Sequence, residues 1–299
     1  MQNIKTVGII GAGQMGGGIA LVAALHKFNV IVCDKSVDQQ HKCEADHKKR
    51  LGREVEKQRL SQADSDAAQK RIKYVHMIDL LKDADFVIEA AVENLHVKKE
   101  IFQHMARLVR EDVILASNTS SISITEIAAA AEHAHKGAGA RVIGMHFFNP
   151  VPVMKLVEVI KGIQSSDATT ATTLELAKAL NKTPIPANDR AGFVSNRVLM
   201  PMINEAFYAW MEGVAEPAHI DEIMKLGCNF PMGPLRLADF IGLDTCEHIM
   251  NVLADGLNND RYRACPLLKQ LVIAGRLGDK SGRGVFDYTA AATAAPAKG

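Results

Sequence analysis

The sequence lacks long hydrophobic runs and carries almost no net charge. No stretch approaches the ~18 consecutive apolar residues of a membrane span, so we expect none. With 35 Lys and Arg against 34 Asp and Glu, the net charge is +1 at pH 7, and nothing predicts binding to nucleic acid or to a membrane surface. A modest basic patch for an anionic ligand remains compatible with this balance.

Cysteine is also scarce. The five cysteines form no CxxC motif, and their number is odd, so we expect reduced thiols and no metal site. Glycines interrupt the apolar run near the N-terminus before it reaches the length of a signal-peptide core. These absences together predict a soluble protein of the cytoplasm.

The composition is that of an ordinary globular protein. A length of 299 residues suggests about two domains, and 47% hydrophobic residues are enough for a core without disulfide or metal support. The first half alternates short β-branched runs with helical patterns, which predicts a parallel sheet covered on both faces. Strands are expected at 6–10, 30–34, 85–90, 113–117, 141–147 and 155–160.

The remaining segments indicate how the chain is divided. The charged stretch 36–74, broken near Ser61, predicts a helical hairpin that projects from the sheet. After about residue 190 the pattern is helical, with one further strand expected at 285–288. The prolines of 184–191 predict a linker there. We therefore expect a first domain at 1–187, a helical domain at 188–289 and a flexible tail at 290–299.

A glycine-rich loop follows the first predicted strand and opens the first helix. Gly11, Gly13 and Gly16 have the spacing of a dinucleotide-binding loop, with Gln14 and Met15 between the last two. The first glycine permits a tight turn, the second lets the backbone approach a pyrophosphate, and the third allows close helix–strand packing. The loop therefore predicts a nucleotide cofactor, although a plain glycine-rich turn also fits.

Asp34 ends the second predicted strand, 23 residues after Gly11. A carboxylate at this position accepts hydrogen bonds from the adenosine ribose and repels the extra phosphate of NADP, which favours NAD. Lys35 follows and would soften that exclusion. The alternative is an ordinary acid near a helix N-terminus.

His146 and Glu158 are candidates for a catalytic pair. His146 ends an apolar run, and a turn with Pro150 and Pro152 separates it from the strand that contains Glu158. Because Glu158 lies among aliphatic residues, its carboxylate needs a polar or charged partner. A neutral imidazole can take a hydroxyl proton as hydride leaves an alcohol carbon, while a carboxylate orients the ring. A structural histidine fits the spacing equally well.

Several motifs together resemble the 3-hydroxyacyl-CoA dehydrogenase family. The most specific is His-Phe-Phe-Asn-Pro at 146–150, followed by Leu-Val-Glu at 156–158. The others lie at 11–16 with Asp34, and at 93–95, 117–121, 192–197, 231–234, 242–244 and 280–284. The resemblance covers about residues 3–288 and is close to the single-function 3-hydroxybutyryl-CoA dehydrogenase branch.

The resemblance implies a fold and an activity. The fold is α/β, with a Rossmann-type doubly wound sheet domain followed by an all-α domain that forms a homodimer. The activity is NAD-dependent exchange of a hydride with C3 of an (S)-3-hydroxyacyl-CoA. His146 resembles the family's catalytic base and Glu158 its orienting acid. Ser120 and Asn196 match positions that hydrogen-bond the reacting oxygens of the substrate. The positions that match cofactor contacts are Glu93, Lys98, Ser120, Asn149 and Lys280, besides the glycine loop and Asp34.

The charged hairpin resembles the family's arm over the CoA moiety. Its basic residues are candidates for contacts with the CoA phosphates, with Lys57 as the single pick: Lys48, Lys49, Arg50, Arg53, Lys57 and Arg59. On composition alone, a charged helical face is usually only solvated.

Two alternatives remain open at this point. One is a different acyl group, such as 3-hydroxyadipyl-CoA, since the residues at the acyl end cannot be assigned from sequence. The other is a non-catalytic binding protein on the same fold. The presence of His146, Glu158 and Asn196 together argues against the second alternative.

Overall fold

The computed structural model of the chain describes residues 4–289. Contacts divide the chain into two compact units, with the division between Asp189 and Arg190. This point lies two residues beyond the boundary expected from the sequence. The expected tail at 290–299 lies outside the described residues.

The first unit contains one eight-stranded sheet, in the spatial order β3-β2-β1-β4-β5-β6-β7-β8. All neighbouring strands are parallel except β6 and β7. The order of β1 to β6 is that of a doubly wound dinucleotide-binding sheet, which confirms the predicted fold class. The strands are β1 Thr6–Ile10, β2 Asn29–Cys33, β3 Ile72–Val75, β4 Phe86–Glu89, β5 Ile114–Ser117, β6 Val142–Phe147, β7 Leu156–Lys161 and β8 Thr183–Asn188.

Six α-helices connect these strands: α1 Gln14–Leu25, α2 Val37–Glu56, α3 Gln62–Lys70, α4 Leu95–Leu108, α5 Ile124–Ala134 and α6 Asp167–Ala179. Five of them begin after a side chain that accepts a hydrogen bond from the backbone N–H three residues later, which satisfies one otherwise unpaired donor. These capping residues are Ser36, Ser61, Asn94, Ser123 and Ser166. α1 is the exception, since its N-cap Gly13 has no side chain.

The predicted linker at 184–191 was wrong for its first half, which is strand β8. Prolines usually interrupt strands, but an edge strand tolerates them where the missing N–H would point away from its neighbour. Thr183 N and Asp189 N donate to Lys155 O and Lys161 O on the β7 side, so odd-numbered residues face β7. Pro184 and Pro186 have even numbers and leave the ladder intact.

The helical hairpin predicted at 36–74 was correct for two helices that meet near Ser61, but its end is strand β3. The hairpin also does not simply project. Cys43 and His47 on α2 are buried, and His47 Nε2 lies 2.8 Å from Gly17 O of α1. A charge run in sequence therefore conceals an apolar stripe that packs on α1.

The described part of the second unit, residues 190–289, contains five α-helices: α7 Ser195–Met211, α8 Pro217–Cys228, α9 Pro234–Ile241, α10 Leu243–Gly256 and α11 Pro266–Ile273. The strand predicted at 285–288 was wrong. The buried carboxylate of Asp239 accepts the backbone N–H groups of Val285 and Phe286 and the hydroxyl of Tyr288, at 2.7–2.9 Å. A side chain thus replaces the neighbouring strand that this segment would need. Among residues 4–289, no helix has the length and apolar character to cross a membrane.

Candidate active site

The glycine loop between β1 and α1 has the geometry that its sequence predicts. Gly11 has φ +101°, a conformation that L side chains rarely adopt, and an added Cβ would lie 2.5 Å from Ala90 O. A Cβ at Gly16 would lie 1.9 Å from Gly11 O, so only glycine permits this approach of helix to loop. Both residues are required by the protein's own packing.

Gly13 differs from the other two glycines, because an added Cβ there would meet nothing within 4 Å. No group of residues 4–289 fills the space beside it. The first turn of α1 contains no acidic residue, and its N-cap has no side-chain hydrogen bond. The free N–H groups and the positive end of the helix dipole therefore suit a phosphate group. The local structure fits the pyrophosphate of a dinucleotide.

Asp34 connects this loop to the end of β2. Its Oδ2 accepts the N–H of Ala12 at 2.8 Å, and its Oδ1 accepts the N–H of Ser36 at 2.9 Å. A carboxylate has about four acceptor sites, so capacity remains for ribose hydroxyls. The structure adds a role that the sequence did not suggest, because Asp34 also holds the glycine loop in place.

His146 and Glu158 are brought together by the antiparallel pairing of β6 and β7, in which they lie directly opposite each other. His146 Nδ1 is 2.8 Å from Glu158 Oε2, and both residues are buried. The proximity that the proline turn predicts is confirmed. The ring of Phe148 lies 4.6 Å from the imidazole, centroid to centroid.

The pairing fixes the chemistry available to the imidazole. An ionised carboxylate can only accept, so Nδ1 carries the hydrogen that is directed at Glu158. In the neutral ring, Nε2 is then the basic atom. Such a ring can take a proton at Nε2, and the adjacent carboxylate stabilises the imidazolium that forms.

A second buried ionic group lies at the carboxyl ends of β4 and β5. Lys98 Nζ on α4 is 2.6 Å from Glu89 Oε1 and 3.4 Å from Glu93 Oε2, and the Lys98 and Glu89 side chains are each 1% exposed. Glu89 also accepts the hydroxyl of Ser117 at 2.6 Å and the N–H of Ala91 at 2.7 Å. The ammonium of Lys98 thus lies between two carboxylates, and its contact with the cofactor stays a prediction.

Glu93 holds the loop that contains Ser120. Its Oε1 accepts the hydroxyl of Thr119 at 2.5 Å, the N–H of Ser120 at 3.0 Å and the hydroxyl of Ser121 at 3.0 Å. Burial would raise the pKa of Glu93, but the charge of Lys98 and these hydrogen bonds lower it overall. The carboxylate is thus kept ionised, and Ser120 is held half-buried beside it.

The sequence-based interpretation missed Glu89, Thr119 and Ser121. A signal for Glu89 was present, since the acid ends an apolar strand and must find a partner when buried. The two hydroxyls had no such signal, because their contacts with Glu93 arise only from the fold.

The remaining cofactor candidates of the first unit are connected through Asn149. Its Oδ1 accepts a hydrogen bond from Gln14 Nε2 at 3.0 Å, which joins the loop after β6 to the start of α1. The side chain of Met15 packs against the core instead. Because Met15 is only partly buried, its cofactor contact stays a prediction.

Two candidates lie in the second unit. Asn196 is buried in the first turn of α7. Lys280 forms an ion pair with Asp244, 2.5 Å between Nζ and Oδ1, and both side chains are partly exposed. The role of Asn196 toward the substrate and the role of Lys280 toward the cofactor stay predictions.

The basic residues of α2 and its following turn fall into two groups. Lys48, Arg50 and Arg59 pair with acids of the same segment. Within the described chain no carboxylate pairs with the other three, which are exposed: Lys49, Arg53 and Lys57. Among residues 4–289, no group of three or more His, Cys, Asp or Glu side chains is placed to hold a metal ion.

Comparison with known families gives two matches that cover nearly the whole chain. Residues 6–190 match the model for "3-hydroxyacyl-CoA dehydrogenase, NAD binding domain". Residues 192–288 match the model for "3-hydroxyacyl-CoA dehydrogenase, C-terminal domain". The predicted NAD cofactor is thereby confirmed at the level of the family.

Individual relatives agree with the family match. A probable 3-hydroxybutyryl-CoA dehydrogenase of Deinococcus radiodurans is 52% identical over 281 residues, 94% of this chain and 99% of the relative. The crystal structure of (S)-3-hydroxybutyryl-CoA dehydrogenase from Ralstonia eutropha superposes with a TM-score of 0.92 at 50% identity, covering 96% of this chain and all of that one. A 3-hydroxyadipyl-CoA dehydrogenase of Escherichia coli is 41% identical over 97% of this chain, which covers 60% of that protein.

Proposed function

The chain belongs to the 3-hydroxyacyl-CoA dehydrogenase family, and from this premise we propose that it interconverts short-chain (S)-3-hydroxyacyl-CoA and 3-ketoacyl-CoA with NAD. The 3-hydroxybutyryl-CoA/acetoacetyl-CoA pair is the proposed substrate. The single observation that carries the chemistry is the buried hydrogen bond between His146 and Glu158, which leaves Nε2 as a base. Short-chain preference is supported by the names of the relatives near 50% identity.

The candidate site residues have the following proposed roles in this reaction. NAD, when bound, supplies the hydride acceptor. His146 takes the hydroxyl proton at Nε2, and Glu158 orients the ring and stabilises its charged form. Ser120, held by Glu93, donates to the reacting oxygen and stabilises charge that develops there. Asn196 of the second unit is proposed to do the same.

The cofactor preference rests on the glycine loop and Asp34. The open space beside Gly13 and the uncapped start of α1 support pyrophosphate binding. Asp34 supports selection of NAD over NADP, because a phosphate on the ribose would meet a carboxylate. The further cofactor contacts that we propose are Glu93, Lys98, Ser120, Asn149 and Lys280.

Lys57 is the proposed contact for the phosphates of the CoA moiety. Lys57 is exposed at the end of α2, and no acid of the described chain neutralises it. Lys48 is paired with Glu44 and serves as the matched control. Substituting Lys57 with Ala is expected to raise KM for acetoacetyl-CoA several-fold while Lys48→Ala does not, as ~1 kcal/mol per phosphate contact would give.

A homodimer through the second unit is part of the proposal. Several apolar side chains of α7 and α8 are exposed, among them Val198 at 69% and Leu226 at 77%. An apolar surface of this kind needs a partner. The five free cysteines suit a reducing compartment, which supports the cytoplasm as the proposed location. Light scattering coupled to gel filtration tests the mass of the assembly.

The alternative substrate, 3-hydroxyadipyl-CoA, is disfavoured because the 3-hydroxyadipyl-CoA dehydrogenase of Escherichia coli is less similar in sequence to this chain than the 3-hydroxybutyryl-CoA dehydrogenases are. The deciding experiment is reduction of acetoacetyl-CoA and of 3-oxoadipyl-CoA, each with NADH and with NADPH, followed by nicotinamide absorbance. We expect the largest kcat/KM for acetoacetyl-CoA with NADH. Preference for the carboxylated substrate would overturn the short-chain proposal, and equal rates with NADPH would overturn the role of Asp34.

A further inference from the structure

Lys182 is a buried cation that the proposed catalytic roles do not use. It lies between α6 and β8, and only 8% of its surface is exposed. Its ammonium donates hydrogen bonds to Val151 O at 2.5 Å and to Met154 O at 2.8 Å. No carboxylate of residues 4–289 pairs with it, and burial, with a smaller effect from Lys155, lowers its pKa. Burying an unpaired charge costs free energy that an apolar side chain would avoid, so stability alone does not explain this lysine.

The two carbonyls that Lys182 contacts belong to the loop between β6 and β7, which begins two residues after His146. Val153 N and Met154 N both donate to Pro150 O, at 2.9 and 3.0 Å, and form a compact turn. Most of this loop is exposed. Through its hydrogen bonds to Val151 O and Met154 O, Lys182 therefore connects the turn to the start of β8.

The same turn contacts the cofactor helix α1. Val151 is 2% exposed and packs closely on α1. A Cβ added at Gly18 of α1 would lie 2.9 Å from the Cβ of Val151. One residue before the turn, Asn149 accepts the hydrogen bond from Gln14. A shift of the turn would therefore move Asn149 relative to the glycine loop.

We propose that Lys182 is a positioning residue of the cofactor site, which acts through the turn at 150–154 to hold Asn149 against Gln14. This inference rests on the proposed cofactor contact of Asn149. The ammonium suits the task, because one nitrogen with three hydrogens can bind two carbonyls that converge on it. A neutral apolar side chain of equal length would leave both carbonyls without that partner.

The test measures NADH binding to the full-length protein by nicotinamide fluorescence. Lys182→Met should weaken NADH binding about tenfold, since small displacements of positioning groups have effects of this order. Lys182→Arg should recover most of the loss, because a guanidinium can also bind two carbonyls. Lys178→Met, a change of an exposed lysine on α6, is the matched control and should leave binding unchanged. The KM for acetoacetyl-CoA should change less than the affinity for NADH.

The route through Asn149 is tested by a double-mutant cycle. If Lys182 acts through Asn149, Lys182→Met should cost little further affinity in an Asn149→Ala background. An equal loss in both backgrounds would overturn the route, and wild-type NADH affinity in folded Lys182→Met would overturn the proposal. If Lys182→Met does not fold, Lys182→Gln is measured under the same criteria. Because these titrations contain no acyl-CoA, failure of the proposed short-chain activity would leave their outcome intact.

Discussion

Two buried ionic groups lie at the carboxyl-terminal edge of the sheet, and they differ in what they can do. His146 and Glu158 form a hydrogen-bonded pair in which the imidazole can gain a proton at Nε2. Lys98 instead lies between two carboxylates, those of Glu89 and Glu93. The first group is suited to chemistry and the second to holding a loop. Burial of a charged pair alone therefore does not identify a catalytic residue; one member must also be able to exchange a proton with the substrate.

The largest expected effect concerns the first group. His146→Gln removes the base but keeps a side chain that can hydrogen-bond to Glu158. We expect kcat for acetoacetyl-CoA reduction to fall on the order of 10³-fold, with NADH affinity little changed. Steady-state kinetics and NADH titration measure the two quantities. Activity near that of the wild type would place His146 among structural histidines.

The next effect concerns the second group and is one of stability. Lys98→Met leaves two carboxylates without their buried counter-ion, which costs about 3–5 kcal/mol of unfolding free energy. The neighbouring Lys99 pairs with Glu126 on the surface, so Lys99→Met should cost less than about 1 kcal/mol. Urea unfolding followed by circular dichroism compares the two. Similar losses would mean that the enclosed group is no more important than a surface pair.

Glu158→Gln should have an intermediate effect on rate. The amide can still orient the imidazole through its oxygen, but it no longer stabilises the imidazolium. We expect kcat to fall on the order of 10²-fold with little change in stability. If stability fell and kcat did not, Glu158 would belong with Glu89 as a structural acid. Parallel kinetic and unfolding measurements decide between these outcomes.

The smallest effect is a pH dependence of stability at Glu93. Its pKa in the folded protein is lowered from the ordinary value of 4.5, so its contribution is present above that value and is lost as pH falls through the folded pKa. The side chain is 32% exposed, which limits the contribution to about 1 kcal/mol or less. Glu93→Gln should be less stable than the wild type at pH 7, and the difference in stability should close as pH falls from 4.5 through the folded pKa. A stability difference that does not change with pH would show that the charge of Glu93 does not stabilise the folded protein.

Local motifs explain what the sequence could predict. The glycine loop and Asp34 depend on residues within one strand–turn–helix segment, and the approach of His146 to Glu158 depends on one turn between adjacent strands. In each case the contact partners are close in sequence. The fold class follows from the same short-range alternation of strands and helices.

The features that the sequence did not predict have the opposite origin. The ion pairs of Lys98 with Glu89 and Glu93 are tertiary contacts that no sequence spacing predicts. Pro184 and Pro186 suggest a break in the segment that forms β8, and only the register shows that both face away from β7. The contacts of Lys182 could not be predicted from sequence, because its two carbonyl partners lie 31 and 28 residues away.

The central claim is that His146 and Glu158 act as one catalytic unit. The most direct measurement is kcat for acetoacetyl-CoA reduction by the double variant His146→Gln/Glu158→Gln, compared with both single variants. If the acid works only through the imidazole, the double variant should be about as slow as His146→Gln alone. The claim would be contradicted if the two losses in kcat multiplied. The double variant would then be slower than His146→Gln by the same factor by which Glu158→Gln is slower than the wild type.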